Sequence, residues 1–370
     1  GDYLEGKSCI PSKKKPAKKK EEAAAKAAPA PAKEPPKQEA AKPAPVTPKV
    51  EAKPSTGKRI SVVGGGPSGL TCAYYLANLG HEVHVYEAEN VAGGVLYWGI
   101  PEYRLPKDVL AKEVKAIEQS GVSIHCNVRV GETIPFEELK SQSDAVYVAI
   151  GTQQSRTLGI PGEDLPGVEN GLIFLKRIGL KQNFKVPERL VVIGGGSTAM
   201  DVARTALRKG VRQLTCFSRT PEVAASQHEF SYATLEGVNF EYCKAPVEIT
   251  DEGVIFVDVR EDENGEFIEA PGTEKLYPAD SVIVSISQGP RNRIVSTTKG
   301  IDTDRRGLLV TDEEGHTTRP GVFASGDVVL GAKTVVQAVA YSKRVAEAMH
   351  SYMQGIPAQG RAAGPDGAQR

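Results

Sequence analysis

Large apolar side chains are distributed unevenly along the 370 residues of this chain. From Ser12 to Thr56 they are almost absent, and Lys, Ala, Pro and Glu take their place. Such a segment buries too little surface to offset its ordering entropy, so residues 1–56 are expected to form a disordered, extended tether. Beyond it, short continuous apolar runs of the buried-strand type alternate with stretches of helical period. Ile60–Val63 predicts a strand, Ser68–Leu79 a helix closed by Gly80, and Val83–Tyr86 a second strand. Lys107–Gln119 carries a helical period ended by Gly121, Val122–Val128 reads as a strand, Phe136–Lys140 as a short helix and Ala145–Ile150 as a buried strand. From Leu190 the opening design returns as strand LVVI, turn GGGSTA, helix MDVARTALRKG and strand LTCFS. A helix is expected between Ala224 and Leu235. The short runs NFEYC, VEIT, VIFVDVR and EFIEA, spaced by turn signals, predict an antiparallel flap, and DSVIVSI after them predicts the last strand of this second unit. Gly321–Ala324 predicts a last strand and Thr334–Met353 a last helix, while the Gly-, Ala- and Pro-rich residues 354–370 carry no folding pattern.

The turns between these elements carry the chemistry. Gly64, Gly66 and Gly69 stand at G-x-G-x-x-G spacing between strand and helix, in the order GGGPSG that includes Pro67 and Ser68. The first glycine permits the tight turn, the second lets the backbone approach a pyrophosphate, and the third lets the helix pack closely on the strand. The helix N-terminus aims unsatisfied amides and a positive dipole end at the phosphates. Glu87 follows Gly69 by 18 positions, at the end of the second strand, where a carboxylate accepts hydrogen bonds from a ribose and repels a 2'-phosphate. In the second copy Gly194, Gly196 and Ala199 take the three turn positions, with Gly195, Ser197 and Thr198 between them, and counting forward places Arg219 opposite Glu87. A guanidinium there suits a 2'-phosphate and favours NADP(H), with NAD(H) possible; the plainer reading is a solvated arginine. The pattern predicts an α/β fold of two Rossmann-like dinucleotide-binding domains holding two different ligands. Gly151 and Thr152 follow a strand end, where the ligand crevice of such sheets lies, and Asp327 behind Gly326 is placed to cap a helix or to accept from a polyol. The loop at residues 90–110, with Gly93, Gly94 and Gly99, is apolar enough to wall a flat ring through Leu96 and Tyr97, or to pack internally with Trp98.

Composition narrows this further. The formal net charge is zero, so no global field recruits nucleic acid or an anionic membrane, and the basic run KKKPAKKK lacks aromatic residues for base stacking. The five cysteines are too widely spaced for a C-x-x-C dithiol or a local metal knuckle, which suits a reducing cytoplasm. No apolar stretch is long enough for a membrane span.

These ordered motifs resemble the FAD- and NADPH-binding part of the glutamate synthase small subunit and its relatives, a branch of the two-dinucleotide-binding flavoproteins, over residues 57–353. The resemblance implies an FAD domain in two parts, 57–160 and 290–353, with a nicotinamide domain at 161–289 inserted between them. It implies FAD contacts at Gly64, Gly66, Pro67, Ser68, Gly69, Glu87, Ala88 and Val128, and flavin or pyrophosphate neighbours at Gly94, Leu96, Gly99, Ile100, Pro101 and Arg104. The segments Ala149–Thr152 and FASGD, ending in Gly326 and Asp327, match further FAD motifs, with Thr334, Val335, Val336 and Ala338 near the flavin ring. The turn at Gly194–Met200 is implied to hold the nicotinamide cofactor. Three departures stand out: Phe217–Ser218–Arg219 where the family has tyrosine and two arginines, Ser287 where relatives have glycine, and only Cys9 ahead of the FAD domain where relatives carry iron-sulfur cysteine clusters. The implied activity is hydride exchange between nicotinamide and flavin N5, without a catalytic side chain or metal, in a hetero-oligomer whose iron-sulfur partner exchanges single electrons. A stand-alone reductase of a small-molecule acceptor and a non-catalytic flavin-bound structural subunit are the alternatives.

Overall fold

The computed structural model describes residues 54–286, 288–289 and 298–355. The expected tether up to residue 53, Cys9, Ser287 and the tail from residue 356 lie outside them.

Two five-stranded parallel sheets organise the chain. The first has the order Val322–Ala324, Ala145–Val148, Arg59–Val63, Glu82–Tyr86, Val122–His125. The second has the order Val168–Asn170, Ser281–Val284, Arg189–Ile193, Gln213–Phe217, Asn239–Glu241. Every strand of the second sheet falls between Val148 and Val322 in the chain, so the second unit is an insertion in the first. The chain crosses out and back beside itself, where Gln154–Ser155 pairs antiparallel with Gln288–Gly289. A three-stranded antiparallel flap, Lys244–Thr250, Gly253–Glu261 and Phe267–Pro278, is attached to the inserted unit.

Each parallel sheet is covered on both faces, which is why its strands read as continuous apolar runs rather than alternating ones. Helix Pro67–Asn78 and helix Val335–Met353 lie together over the first sheet, where Cys72, Leu76, Val345 and Met349 are fully buried beside Ile60, Val62 and Tyr147. Burying one such aliphatic side chain contributes about 1.5–3 kcal/mol. In the inserted unit Met200, Val202, Ala203 and Ala206 of helix Ser197–Arg208 bury against Leu190, Val192 and Leu214. Thr334 and Gln337 form a capping box at the start of the last helix, and Ser226 with Glu229 forms another at helix Gln227–Leu235.

The structure departs from the sequence reading in several places. NFEYC does not join the antiparallel flap: Asn239–Glu241 is the parallel edge strand of the second sheet. EFIEA is part of a single strand of 12 residues, Phe267–Pro278. The strand from Val122 stops at His125 because Asn127 turns the backbone left-handed, at φ 59°. Strand Val168–Asn170, too short to show a period, and helix Gly171–Gly179 were not expected; Asn170 caps that helix by accepting from the Leu172 amide.

Candidate functional site

A cavity of about 680 Å³ opens at the carboxyl edge of the first sheet, within the size range of small-molecule and cofactor pockets, about 300–1,000 Å³. Its floor is the turn at Gly64. Gly64 has φ +107°, and a Cβ there would fall 2.5 Å from the Ala149 carbonyl oxygen. A Cβ on Gly69 would lie 1.9 Å from the Gly64 oxygen, so strand and helix pack with no room for a methyl group. Gly66 is different. A Cβ there would meet only Gly94 Cα, at 4.0 Å, leaving the helix start open to the cavity. That helix begins with Pro67 at its first turn and has no side-chain cap, so its leading amides are free for an anion.

Glu87 is buried at one end of the cavity. Its carboxylate accepts from the Gly65 amide at 2.7 Å and the Glu89 amide at 2.8 Å. Burial raises its pKa, and those two amide hydrogen bonds oppose the rise. Asp327, on the opposite wall, is also raised by burial, with the Lys333 amide donating to it at 3.2 Å. Between them Thr152 is 3% exposed, and its Oγ1 is buried without a partner. A polar atom left in that state costs about 1–3 kcal/mol, so a ligand oxygen or nitrogen reaching it would be favoured.

Beneath the helix start, the hydroxyls of Ser68, Tyr147, Ser325 and Ser342 form a buried cluster. Ser68 Oγ lies 2.7 Å from Tyr147 Oη, 2.8 Å from Ser342 Oγ and 3.1 Å from Ser325 Oγ. The cluster joins the first helix, a central strand, the turn before Asp327 and the last helix. It thereby fixes these four elements relative to one another.

The residues expected at an FAD site are largely gathered here: Gly64, Gly66, Pro67, Ser68, Glu87, Ala88, Gly94, Leu96, Ile100, Val128, Ala149, Ile150, Gly151, Thr152, Asp327, Thr334, Val335 and Ala338 all line the cavity. Others stand behind it. Gly69 and Gly326 permit close backbone approach from outside, a Cβ on Gly326 falling 2.9 Å from the Ser68 side chain. Gly99 ends the helical turn Val95–Trp98. Val336 is 77% exposed and does not reach the cavity. Trp98 is 2% exposed, does not line the cavity and has its ring 5.4 Å from Lys176 Nζ of the inserted unit, so it is packing rather than a ring wall. Tyr86, Arg129, Gln153 and Lys333 also line the cavity and were missed; each adjoins an expected residue, but nothing in its own pattern marks it.

Arg104 is corrected outright. It was expected beside the flavin or pyrophosphate, yet its guanidinium binds the Asp201 carboxylate at 2.6 and 2.8 Å and Glu229 at 2.9 Å, both in the inserted unit. The Gly-rich loop delivers it there because the turn after Pro101 carries the chain away from the cavity.

The second cradle repeats the first. Gly194 has φ +141°, a Cβ on it would fall 2.3 Å from the Ser285 oxygen, and one on Gly196 would meet nothing within 4 Å. Gly195, Ser197, Thr198 and Ala199 follow in the same turn and first helical turn, again without a side-chain cap at Gly196. The strand register corrects the counting: Val63 pairs with Tyr86 and Ile193 with Phe217, so the counterpart of Glu87 is Ser218, and Arg219 stands one position beyond. Ser218 is buried, its Oγ 3.3 Å from where a Cβ on Gly195 would be, just as Glu87 lies 2.9 Å from that of Gly65. A small neutral hydroxyl therefore replaces a carboxylate. Arg219 is 56% exposed on its side chain, pairs with Glu269 of the flap at 3.3 Å and donates to the Phe267 carbonyl at 3.2 Å.

Among the described residues no group of His, Cys, Asp and Glu could hold a metal, and no helix is long and apolar enough to cross a membrane. Cys72, Cys126 and Cys216 carry free thiols, and burial raises the pKa of Cys72 and Cys216, which makes them poor thiolates.

Two parallel sheets, one inserted in the other, each feeding a glycine-rich turn into an uncapped helix, define a two-dinucleotide-binding oxidoreductase. The family described as pyridine nucleotide-disulphide oxidoreductase matches residues 58–355, and the chain belongs to it. It is 38% identical to the NADP(+)-dependent formate dehydrogenase subunit beta of Moorella thermoacetica, over 81% of this chain and 44% of that one. It is 35% identical to the glutamate synthase [NADPH] small chain of Halomonas elongata, over 80% of this chain and 68% of that one. The chain spans about half the length of several such relatives, including 52% of the NADPH-Fe(3+) oxidoreductase subunit beta of Geobacter sulfurreducens. In fold it is similar to Mycobacterium tuberculosis FprA in complex with NADPH, with TM-score 0.69 and 20% identity, covering 82% of this chain and 85% of that one. The resemblance to the glutamate synthase small chain, the α/β fold with an inserted second unit and the oxidoreductase class therefore stand.

Proposed function

We propose that this chain is a flavin-dependent NAD(P)H:acceptor oxidoreductase subunit: it holds FAD in the cavity at Gly64 and NADP(H), in preference to NAD(H), at the Gly196 turn. The observation that carries this reading is the pair of uncapped, glycine-cleared helix starts on two sheets, with Glu87 at the sugar end of one and Ser218–Arg219 at that of the other. The first cavity fits FAD on its own geometry, through the open Gly66 position and the orphaned Thr152 hydroxyl. When bound, FAD supplies a site for hydride exchange with nicotinamide and for single-electron exchange with an acceptor.

The protein's own part is to bind, orient and exclude water. Amides at residues 66–69 would take the pyrophosphate, Glu87 the adenosine ribose, and Asp327 the ribityl hydroxyls. Leu96, Ile100, Val335 and Ala338 would supply apolar wall around the ring. No side-chain acid or base is assigned, since hydride moves between two bound rings. The absence of a dithiol among the described residues argues against a disulphide relay, so single-electron exchange with an iron-sulfur partner in a hetero-oligomer is the outlet proposed. Names of relatives given as subunits or a small chain support the hetero-oligomer.

The test is anaerobic titration of the FAD-loaded protein with NADPH and with NADH. Loss of the visible flavin absorbance, at lower NADPH than NADH, is expected. A flavin that dithionite bleaches and neither nucleotide touches would overturn the reading.

A further inference from the structure

The segment Pro101–Leu105 leaves the wall of the first cavity and ends on the helix of the second cradle. Its root is fixed to that wall: Lys107 Nζ donates to the carbonyls of Leu96, at 2.9 Å, and Ile100, at 2.5 Å, and both residues line the cavity. Its tip is fixed to the inserted unit. Tyr103 lies under two guanidinium groups, Arg208 at 4.1 Å and Arg204 at 4.6 Å from the ring centroid. Arg204 and Arg208 are in turn held by Glu236, at 2.6 and 2.7 Å. Arg104 bridges Asp201 and Glu229. Glu229 also accepts from the hydroxyls of Ser197 and Ser226, each at 2.9 Å. Ser197 is the first residue of the helix whose N-terminus faces the second nucleotide site. A chain of contacts thus runs from the cavity wall through Arg104 and Glu229 to the start of the second helix.

The chemistry of this bridge is costly unless it is completed. Asp201 is 6% exposed, and burial raises its pKa although Arg104 pulls it down. For Glu229, burial also acts upward, but hydrogen bonds from Ser197 and Ser226 and the charge of Arg104 together hold its pKa below the usual value. Asp201, in the second turn of the helix that is to receive a pyrophosphate, and Glu229, which reaches the start of that helix from helix Gln227–Leu235 through the Ser197 hydroxyl, would both repel it; one guanidinium between them offsets that charge while tying the two units together.

We propose that Arg104 is a positioning residue: it fixes the second nucleotide cradle to the Leu96–Ile100 wall of the first, so that the nicotinamide ring meets the flavin at reactive distance. This role, which rests on the nicotinamide site proposed above, separates into a geometric part and a charge part. The geometric part requires both anchors; the charge part requires only that Asp201 and Glu229 not both be uncompensated.

The test uses FAD-loaded protein in anaerobic stopped flow with NADPH, reading the limiting rate of flavin reduction and the nucleotide Kd separately. Arg104→Ala should keep its FAD, be bleached by dithionite like wild type, and lose at least about tenfold in limiting rate, since small misplacements of reacting groups are that costly. Its Kd should rise severalfold. Adding Glu229→Gln should restore the Kd but not the limiting rate, and Arg104→Lys should recover part of the rate. An Arg104→Ala protein with the wild-type limiting rate, a double variant in which the rate returns with the affinity, or loss of FAD that parallels loss of rate would each overturn the positioning role. Wild-type protein unreactive with both NADPH and NADH would instead remove the nicotinamide site, and this role with it.

Discussion

Gly66 and Gly69 stand three positions apart in one turn, yet the structure predicts that they fail in different ways. At Gly69 a new Cβ would lie 1.9 Å from the Gly64 oxygen and 3.1 Å from its carbonyl carbon, both backbone atoms that cannot swing aside. Gly69→Ala must push helix and strand apart, and overpacking of this kind costs about 1–3 kcal/mol, here toward the upper end. At Gly66 the backbone is ordinary, with φ −80°, and the new methyl has only Gly94 Cα at 4.0 Å. Alanine at this helix cap costs up to about 1 kcal/mol relative to glycine, against about 0.4–1 kcal/mol gained from a stiffer unfolded chain. The apo-protein should therefore keep its stability within about 1 kcal/mol. What the methyl occupies is the open cavity where the pyrophosphate would approach, so FAD affinity should fall at least about tenfold, or about 1.4 kcal/mol. Urea unfolding of the apo-proteins and fluorescence titration with FAD read the two quantities separately. Undiminished FAD binding by Gly66→Ala, or undiminished stability of Gly69→Ala, would refute the reasoning.

Other substitutions test the remaining assignments. Arg219→Ala should weaken NADPH about tenfold or more, as expected for loss of hydrogen bonds to a charged group, and leave NADH nearly unchanged; equal losses in the two Kd values would remove Arg219 from the 2'-phosphate. Glu269→Gln should strengthen NADPH binding slightly, within the roughly 0–1 kcal/mol of an exposed ion pair, because it frees Arg219; weaker binding would mean that Glu269 helps rather than competes. Because the Glu87 pKa is raised from its ordinary value of 4.5, the unfolded chain releases that proton first, and this group's contribution to apo-protein stability falls as pH rises above about 4.5. Measured by urea unfolding, the stability of Glu87→Gln relative to wild type should climb through that window and then level off. A difference that does not change with pH would contradict the burial assigned to this carboxyl.

Much of the fold was legible because parallel strands buried on both faces leave continuous apolar runs, and each run here is punctuated by a glycine turn. Ile60–Val63 before Gly64 and LVVI before Gly194 are such cases. The inserted arrangement came from the resemblance rather than from periodicity. What the sequence obscured follows from the third dimension. Counting from Ala199 pointed to Arg219, whereas hydrogen-bond register, which includes the residues of the turn, points to Ser218. Arg104 sits in a loop of flavin-site neighbours, and only the fold reveals that this loop turns outward to Asp201. Trp98, apolar and beside a predicted wall, is buried with its ring 5.4 Å from Lys176 Nζ of the inserted unit, while its backbone lies against Gly179. NFEYC looks like any other short strand near a hairpin; its parallel partner lies more than twenty residues earlier in the chain.

The central claim is that a flavin and a nicotinamide nucleotide occupy two separate cradles of this one chain. A crystal structure of the protein with FAD and NADP+ tests it most directly. The account predicts FAD in the cavity with its pyrophosphate on the amides of residues 66–69 and a ribose hydroxyl on Glu87, and NADP+ at Gly196 with its 2'-phosphate on Arg219. FAD bound at Gly196, or density absent from the Gly64 cavity at saturating FAD, would contradict it.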